Sequence, residues 1–203
     1  MRVGVAGFMG AGKSTVARLI AQQCACPYID ADAEAKRLMD GNAAIRDAIA
    51  REFGAETVVD GRISFPILGP MAFSSPKSLD RLNRIVHPPL LAHLGARLQA
   101  CGPEGAVLDA ALITLWCVEK WFDLVVWVDA PADTRCARVV ARTGLSAPEV
   151  RERMARQEAL VPQPADSRWR RVVNNGTVEE LQREVADTIG AMSFVFPFEF
   201  TPE

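Results

Sequence analysis

Apolar and polar residues follow two different spacing patterns along this chain. Short apolar runs bounded by turn residues predict strands, and the longer stretches between them place apolar residues at the three- and four-residue spacing of helices. Because strands alternate with helices and are apolar throughout, the pattern predicts the α/β class with a mostly parallel, buried sheet. The predicted strands are residues 3–6, 28–29, 106–108, 124–128 and 172–173.

Residues 33–102 contain no convincing strand pattern and several helical ones. A long helix is predicted there, and Pro88 and Pro89 are expected to kink or break it because proline removes a helix hydrogen bond. Its apolar stripe consists of Leu79, Leu82, Val86, Leu90, Leu94 and Leu98.

These patterns predict a core with one insertion. The core is residues 1–32 and 103–192, with a lid at about 138–166 within it, and residues 33–102 form a helical substrate-binding insertion. A tail at 193–203 follows the last helix, and its aromatic residues at 194–200 could dock on the body or on a partner.

Two helix starts carry a capping box, in which a hydroxyl and a glutamate three residues later each bond the other residue's backbone amide. They are Ser146 with Glu149 and Thr177 with Glu180. The two pairs predict helices that begin directly after residues 146 and 177.

Composition narrows the class of protein. The 203 residues are 49% hydrophobic, which suits one globular domain with an inserted subdomain and excludes a disordered tail protein. The formal net charge of -2 argues against binding nucleic acid through bulk charge. Any anionic partner must therefore be held by local features.

The cysteines and the first residues of the chain indicate where in the cell the protein is expected. Five cysteines form no C-x-x-C pair, which predicts reduced thiols in a cytoplasmic protein rather than a disulfide framework or a zinc site. The apolar run that starts the chain is too short for a signal segment or a membrane span. We therefore expect no membrane partner, and the sequence leaves the oligomeric state open.

The most informative segment is residues 7–15, which fit the phosphate-loop motif G-x-x-x-x-G-K-[ST] between an apolar strand and an amphipathic stretch. Its glycines let backbone amides approach phosphate oxygens, so an ordinary glycine-rich turn is the weaker interpretation. Lys13 is expected to reach the β- and γ-phosphates of ATP, and the Ser14 hydroxyl to ligate Mg²⁺. The other predicted nucleotide-binding residues of the loop are Gly10, Ala11, Gly12 and Thr15.

The loop alone is compatible with kinases, GTPases and motor ATPases. A GTPase would carry an Asn-Lys-x-Asp motif late in the chain, and the segment Asn174-Asn175-Gly176-Thr177 does not fit it. The chain is also short for an oligomeric motor ATPase. A small-molecule kinase is therefore the favoured class.

Two carboxylates follow predicted strands, where side chains of a doubly wound sheet face the ligand crevice. Asp32 is the candidate base for a phosphoryl acceptor, although it could instead cap the next helix. Asp109 occupies the Walker B position and could hold the Mg²⁺ water shell, act as a second base, or cap a helix.

Arginines on the next predicted helices offer positive charge. Arg138 and Arg142 are four residues apart and share a helix face, and we predict that they cover the triphosphate when a lid closes. The later set of arginines is better explained as a solvated helix face. That set is Arg151, Arg153 and Arg156.

The sequence resembles the dephospho-coenzyme A kinases from residue 3 to about 189. Five features carry the resemblance, in order along the chain. They are the phosphate loop, Asp30-Ala31-Asp32, Leu82-Asn83-Arg84-Ile85-Val86-His87-Pro88, the lid pattern of Arg138 with Arg142 and Gln157, and Ala165-Asp166 leading to Asn174.

The resemblance implies a three-layer P-loop core similar to nucleoside kinases, with a helical CoA-binding domain and a lid. It implies that Asp32 is the base for the ribose 3′-hydroxyl, and that His87 and Arg138 line the substrate and phosphate site. Asn174 would lie near the adenine of ATP. Without the resemblance, His87 is better interpreted as a structural residue that caps the broken helix.

Three segments depart from the family pattern. Residues 110–115 replace the usual Pro-Leu-Leu and acidic residue, residues 63–66 replace an Asp-Arg pair, and Arg135 replaces a usual Gln. These positions fall on the expected acceptor side and in the lid, so they concern acceptor affinity more than ATP binding.

Together these features predict an ATP- and Mg²⁺-dependent kinase that phosphorylates the 3′-hydroxyl of dephospho-CoA and needs no nucleic acid. One alternative is a different P-loop kinase, for a nucleoside monophosphate or shikimate. Another is a nucleotide-binding regulatory module with weakened catalysis.

Overall fold

The computed structural model of the protein describes residues 1–162 and 169–193, so the predictions for Ala165-Asp166 and for the tail at 194–200 lie outside the described residues. The strands are β1 (Arg2–Ala6), β2 (Tyr28–Asp30), β3 (Val58–Val59), β4 (Arg62–Ile63), β5 (Ala106–Asp109), β6 (Leu124–Asp129) and β7 (Trp169–Val173). The helices are α1 (Lys13–Gln23), α2 (Ala31–Gly41), α3 (Ala43–Phe53), α4 (Phe65–Ala72), α5 (Pro76–Ala100), α6 (Ala132–Thr143), α7 (Ala147–Leu160) and α8 (Val178–Ser193).

Five strands form one sheet in the order β2-β5-β1-β6-β7, and every neighbouring pair in it is parallel. The α/β prediction and all five predicted strand positions are confirmed. The strands β1, β5 and β6 are buried along almost their whole length, as continuous apolar runs in a parallel sheet require. All their carboxyl ends therefore meet at one edge.

The chain divides into two compact units, Met1–Asp30 with Cys101–Glu203, and Ala31–Ala100. The first has a core of sheet residues and the helices α1 and α8, with Val5, Val16, Ile20 and Val126 at most 1% exposed. The second has its own core, formed around Ile49, Leu68 and Ala72 from α3 and α4. No helix in the described part of the chain is both long and apolar enough to span a membrane.

Of the two predicted effects of Pro88 and Pro89 on α5, a kink or a break, the break is wrong, because the helix runs from Pro76 to Ala100 through both prolines. A proline inside a helix costs about 3 kcal/mol or more. Burying one aliphatic side chain contributes about 1.5–3 kcal/mol, so a buried stripe offsets that cost. The stripe comprises Val86, Leu90, Leu94 and Leu98, all at most 6% exposed.

The second unit also contains a hairpin that sequence analysis missed. The two-residue strands β3 and β4 pair antiparallel, with Val58 opposite Ile63. Asp60 and Gly61 connect them with positive φ angles of 50° and 73°. An Asp-Gly pair at two left-handed positions is typical of a tight hairpin turn, so the hairpin did have a sequence signal.

Both predicted capping boxes are present. The Thr177 amide donates to Glu180 at 2.8 Å, and the Glu180 amide donates back to the Thr177 hydroxyl at 3.2 Å. The Ser146 amide donates to Glu149 at 2.9 Å. The helices α7 and α8 begin directly after these residues, as the boxes predict.

Candidate active site

The phosphate loop connects the buried end of β1 to the first residue of α1. Gly10 has a φ of 78°, and a Cβ there would lie 2.4 Å from the backbone oxygen of Arg135. Gly12 has a φ of 94° and caps α1 without any side-chain hydrogen bond. Gly12 therefore places no side chain of its own over the first turn of α1, where amide groups and the helix dipole attract anions.

Side chains from distant elements hold the carbonyl groups of this loop. Asn174, at the end of β7, donates from Nδ2 to the Ala11 oxygen at 2.8 Å. Arg138 on α6 makes two longer hydrogen bonds of 3.4 Å, to the Gly10 oxygen and to Asn174 Oδ1. The Lys13 ammonium donates to the Phe8 oxygen at 3.3 Å. The backbone oxygens of Phe8, Gly10 and Ala11 are thus each held by a side chain.

The amide groups of the same loop are less engaged. Within the described residues, the structure gives no hydrogen bond to the amides of Gly10 and Gly12. Lys13 and Ser14 are half-buried at the start of α1, and Thr15 is exposed. A loop with held carbonyls and available amides is suited to bind phosphate oxygens.

The two predicted lid arginines differ in their surroundings. Arg138 is half-buried and contacts the loop, as described above. Arg142 is exposed in the last turn of α6, and no hydrogen bond or ion pair is found for it among the described residues. The structure brings Arg138 to the phosphate loop and, within the described residues, shows no hydrogen bond from Arg142 to it.

Asn174 is 9% exposed, and a Cβ on Gly12 would approach its Nδ2 to 2.1 Å. Its own amide donates to the Asp129 oxygen at 2.7 Å, which fixes the end of β7 against β6. Its side chain therefore lies against the phosphate loop. That it also lies near adenine stays a prediction.

Sequence analysis noted Arg135 only as a departure from a family pattern, yet this side chain is 5% exposed beside the phosphate loop. Its Nε donates to the Ala130 oxygen at 3.0 Å and its Nη2 to Glu158 at 2.5 Å. Its guanidinium carbon lies 5.3 Å from the centre of the Phe8 ring. Its Nη1 is buried and has no hydrogen-bond partner among residues 1–162 and 169–193.

Gln157 on α7 accepts a hydrogen bond from the Met9 amide at 2.6 Å. Glu158, the next residue, reaches the loop through Arg135 and its contact with Phe8. The last turn of α7 is thus attached to the first half of the phosphate loop at two adjacent positions.

Asp109 ends β5, next to Val5 of β1 and Asp30 of β2 in the sheet register. It is 6% exposed, and the Tyr28 hydroxyl donates to its Oδ2 at 3.1 Å. Burial, and then the nearby Asp109 charge, raise the pKa of Tyr28 to about 12, so its hydroxyl stays protonated. The residues directly after Asp109 form turns, so the interpretation of Asp109 as a helix cap is wrong.

The second unit holds the predicted acceptor-side residues. Asp32 is exposed and is the second residue of α2, so it lies inside the first turn of this helix rather than capping it. His87 is half-buried in the middle of α5, and burial lowers its pKa below the ordinary value. Because α5 does not break there, His87 caps no helix end.

A buried carboxylate in the second unit was not identified from the sequence. Glu34 on α2 is 4% exposed and accepts hydrogen bonds from His93 at 2.7 Å, Arg97 at 3.1 Å and Arg37 at 2.5 Å. Burial acts to raise the pKa of Glu34, but the His93 hydrogen bond and the two arginine charges outweigh it and lower the pKa. Glu34, Arg37, His93 and Arg97 also line an open groove of about 650 Å³.

Comparison with known proteins identifies one family whose members are similar along most of the chain. The family model of dephospho-CoA kinase matches residues 1–180. The chain is 34% identical over 190 residues to the dephospho-CoA kinase of Corynebacterium efficiens, covering 91% of this chain and 93% of that protein.

Solved structures are also similar. TT1252 from Thermus thermophilus superposes with a TM-score of 0.73 at 31% identity, covering 95% of this chain and 97% of that one. The dephospho-CoA kinase from Campylobacter jejuni superposes with a TM-score of 0.65 at 20% identity, covering 96% and 98% of the two chains, and shows the same fold.

Proposed function

The chain belongs to the dephospho-CoA kinase family, and we propose that its phosphate loop, Lys13 and Arg138 bind ATP while Asp32 activates the acceptor. Its activity is the ATP-dependent phosphorylation of dephospho-CoA, a step of CoA biosynthesis. The family match argues against the alternative assignments to a shikimate or nucleoside monophosphate kinase. The alternative of a regulatory module with weakened catalysis is tested by turnover in the assay below. In our proposal, the ribose 3′-hydroxyl is the group that accepts the phosphoryl group.

One observation carries the assignment of the ATP site. The carbonyls of Gly10 and Ala11 are held by Arg138 and Asn174, while the amides of Gly10 and Gly12 make no hydrogen bond within the described residues. These amides and the start of α1 supply a positive potential for the β- and γ-phosphates. The Lys13 ammonium would exchange its contact with the Phe8 oxygen for a phosphate oxygen.

Arg138 would contribute charge during phosphoryl transfer. Its guanidinium lies at the Gly10 oxygen, so it is already beside the loop that carries the phosphates. A fixed positive group at this position stabilises negative charge that develops on the transferred group. Arg142, exposed in the last turn of α6, would cover the triphosphate when the lid closes.

Ser14 and Asp109 are suited to hold Mg²⁺, because hydroxyl and carboxylate oxygens are the ligands this ion prefers. Asp109 is nearly buried and has one oxygen bound by Tyr28, which leaves its other oxygen for a metal-bound water. When bound, the ion would neutralise charge on the β- and γ-phosphates. Magnesium dependence and a cytoplasmic location stay predictions.

Asp32 would remove the proton of the acceptor hydroxyl. It lies in the first turn of α2, which follows β2 without a connecting loop. The carboxylate is exposed, as a base that must meet an incoming substrate has to be. His87, kept neutral near pH 7 by burial, would contact the acceptor as a hydrogen-bonding group rather than as a cation.

A coupled ADP-release assay with a panel of acceptors tests the activity. Dephospho-CoA is expected to support turnover, whereas AMP and shikimate are expected to support little. The position of the new phosphate is then read by ³¹P NMR of the product. Turnover with shikimate alone, or phosphate at a position other than the 3′-oxygen, would contradict the proposal.

A further inference from the structure

The Tyr28 hydroxyl donates to the carboxylate of Asp109 across two neighbouring strands, and the proposed function assigns no role to the tyrosine itself. We infer that Tyr28 is a positioning residue. Its hydroxyl binds one oxygen of the Asp109 carboxylate and orients the second oxygen of that carboxylate toward the Mg²⁺ of bound ATP. This inference rests on the proposed role of Asp109 in the ATP site. Tyr28 itself would touch neither the nucleotide nor the acceptor.

The sheet register explains how the hydroxyl reaches Asp109. Tyr28 is opposite Val107, and Asp30 is opposite Asp109, in the parallel pair β2 and β5. Alternate residues of a strand point to the same face, so Tyr28, Asp30 and Asp109 share one face of the sheet. The long Tyr28 side chain extends diagonally along this face, and its hydroxyl lies 3.1 Å from Asp109 Oδ2.

The helix α1 holds the Tyr28 ring from the other side. The Arg18 guanidinium carbon lies 5.1 Å from the centre of this ring, a distance typical of a cation–π contact. Arg18 is four residues after Ser14, so both side chains lie on the same face of α1. The helix face that carries the proposed metal ligand Ser14 therefore packs toward Tyr28 and the strand that carries Asp109.

The hydrogen bond fixes which carboxylate oxygen remains available. An ionised carboxylate only accepts hydrogen bonds, so the Tyr28 hydroxyl must donate to Oδ2. Tyr28 provides the only side-chain hydrogen bond given to Asp109 among the described residues. Because Asp109 is 6% exposed, water has little access to replace this donor. Without the hydroxyl, the carboxylate would be free to rotate about its last bond.

Replacing Tyr28 by Phe removes one oxygen atom and keeps the ring that packs on Arg18. Groups that orient metal ligands typically change metal affinity by 10–100-fold, so Tyr28→Phe is expected to raise the free Mg²⁺ needed for half-maximal activity about tenfold. The KM for dephospho-CoA should change less than about twofold. A purely structural role would change thermal stability without this selective change in Mg²⁺ dependence.

Thr188→Val is the matched control, because it also removes one hydroxyl hydrogen bond, from Thr188 to the Glu184 oxygen at 2.7 Å within α8. It is expected to retain the Mg²⁺ dependence of the unaltered protein. A Tyr28→Phe protein with the same Mg²⁺ dependence as this control would overturn the inference.

A second measurement does not depend on turnover. Tyr28 is the single tyrosine of the chain, so protein labelled with 3-fluorotyrosine gives one ¹⁹F resonance. We expect Mg²⁺ to shift this resonance when it is added to the complex with a non-hydrolysable ATP analogue, and Asp109→Asn to abolish the shift. An unchanged resonance in the unaltered protein would overturn the inference.

Calorimetry separates this inference from the ATP site itself. The ATP analogue is titrated into the unaltered and Tyr28→Phe proteins, first in EDTA and then with Mg²⁺. Equal affinities in EDTA, with a smaller gain from Mg²⁺ in Tyr28→Phe, support the inference. An equal gain in both proteins refutes it and leaves the ATP site intact, whereas no binding to the unaltered protein refutes both.

Discussion

Asn174 illustrates how one side chain sets the shape of a binding loop. Its amide group donates to the Ala11 oxygen and its own oxygen receives a longer hydrogen bond from Arg138. The first contact holds an oxygen of the loop, and the second holds the Asn174 side chain in place beside it. A side chain that touches no phosphate thereby makes phosphate binding favourable.

Arg135 also lies beside the phosphate loop, but favourable and unfavourable contacts of its guanidinium oppose each other. Its guanidinium makes two hydrogen bonds and lies over the Phe8 ring, but its buried Nη1 finds no partner in the part of the chain that the structure describes. An unsatisfied buried donor costs about 1–3 kcal/mol. The ion pair with Glu158 and the contact with Phe8 offset this cost and attach α7 to the loop.

Asp32 gives the first prediction at the level of a residue. Asp32→Ala is expected to lower kcat by at least about 100-fold, because general base catalysis typically contributes 10²–10⁴-fold. ATP binding should be retained, since the loop is not altered. Steady-state kinetics and calorimetry with the ATP analogue measure the two effects.

The matched control for this variant is Asp47→Ala, which removes an exposed aspartate from α3 in the same unit. It is expected to turn over at the normal rate. Near-normal turnover of Asp32→Ala would remove Asp32 as the base.

At the scale of elements, the phosphate loop depends on close contact between Gly10 and α6. In Gly10→Ala, the positive φ of 78° and a Cβ 2.4 Å from the Arg135 oxygen both oppose the native conformation. We expect ATP-analogue affinity to fall at least about tenfold, because the loop must shift by more than a side chain can absorb. Calorimetry measures this loss.

Gly61→Ala separates the two causes. Gly61 has a similar φ of 73° but no atom within 4 Å of the added Cβ, so only the backbone cost of about 1–2 kcal/mol applies. This variant should lose stability and keep its ATP affinity. If both variants bind ATP normally, contact with α6 does not shape the loop.

The pairing of α2 with α5 depends on an ionised Glu34. The pKa of Glu34 is lowered in the folded state. The charged carboxylate therefore stabilises the fold at any pH above about 4.3, the pKa of glutamate in the unfolded chain. This contribution is lost as the pH falls through the lowered pKa of the folded state. Glu34 is buried but its arginine partners are largely exposed, and hydrogen bonds to a charged group contribute about 1.5–3 kcal/mol, so Glu34→Gln should destabilise by roughly 2 kcal/mol at pH 7. Urea unfolding should show this difference shrinking below about pH 4.

Glu52→Gln provides the comparison for Glu34. Glu52 pairs with Arg81 at 2.8 Å, but both side chains are more than a third exposed. Exposed pairs contribute about 0–1 kcal/mol, so this variant should unfold nearly as the unaltered protein does. An equal effect of the two substitutions at pH 7 would show that burial of Glu34 is not the cause.

For the whole molecule, nucleotide binding should stabilise the folded chain. A ligand at 100 times its Kd adds about 2.7 kcal/mol, which for a chain of this size corresponds to a rise in Tm of roughly 5–10 °C. We expect ATP analogue with Mg²⁺ to give such a rise and Lys13→Ala to abolish most of it, because Lys13 contacts the phosphates in our proposal. Differential scanning fluorimetry measures both.

Lys120→Ala is the control, since Lys120 is an exposed lysine of the same unit outside the loop. It should retain the full rise in Tm. A rise of equal size in Lys13→Ala would contradict the assignment of the phosphate loop as the ATP site.

Much of this protein follows from local sequence. The phosphate loop, the two capping boxes and the five core strands depend on residues a few positions apart, and the structure contains all of them. Local backbone preferences are enough here, because glycine, capping residues and apolar runs each restrict the conformations of their own segment. The Asp-Gly turn between β3 and β4 was equally local and was overlooked.

The tertiary structure alone decided the partners of these segments. Asn174 and Ala11 are 163 residues apart, Tyr28 and Asp109 are 81 apart, and Glu34 and His93 are 59 apart. It also kept α5 continuous through two prolines, because burial along the helix outweighs the local preference. Such contacts depend on which strands and helices pack together, and that choice minimises the free energy of the whole fold rather than of any one segment.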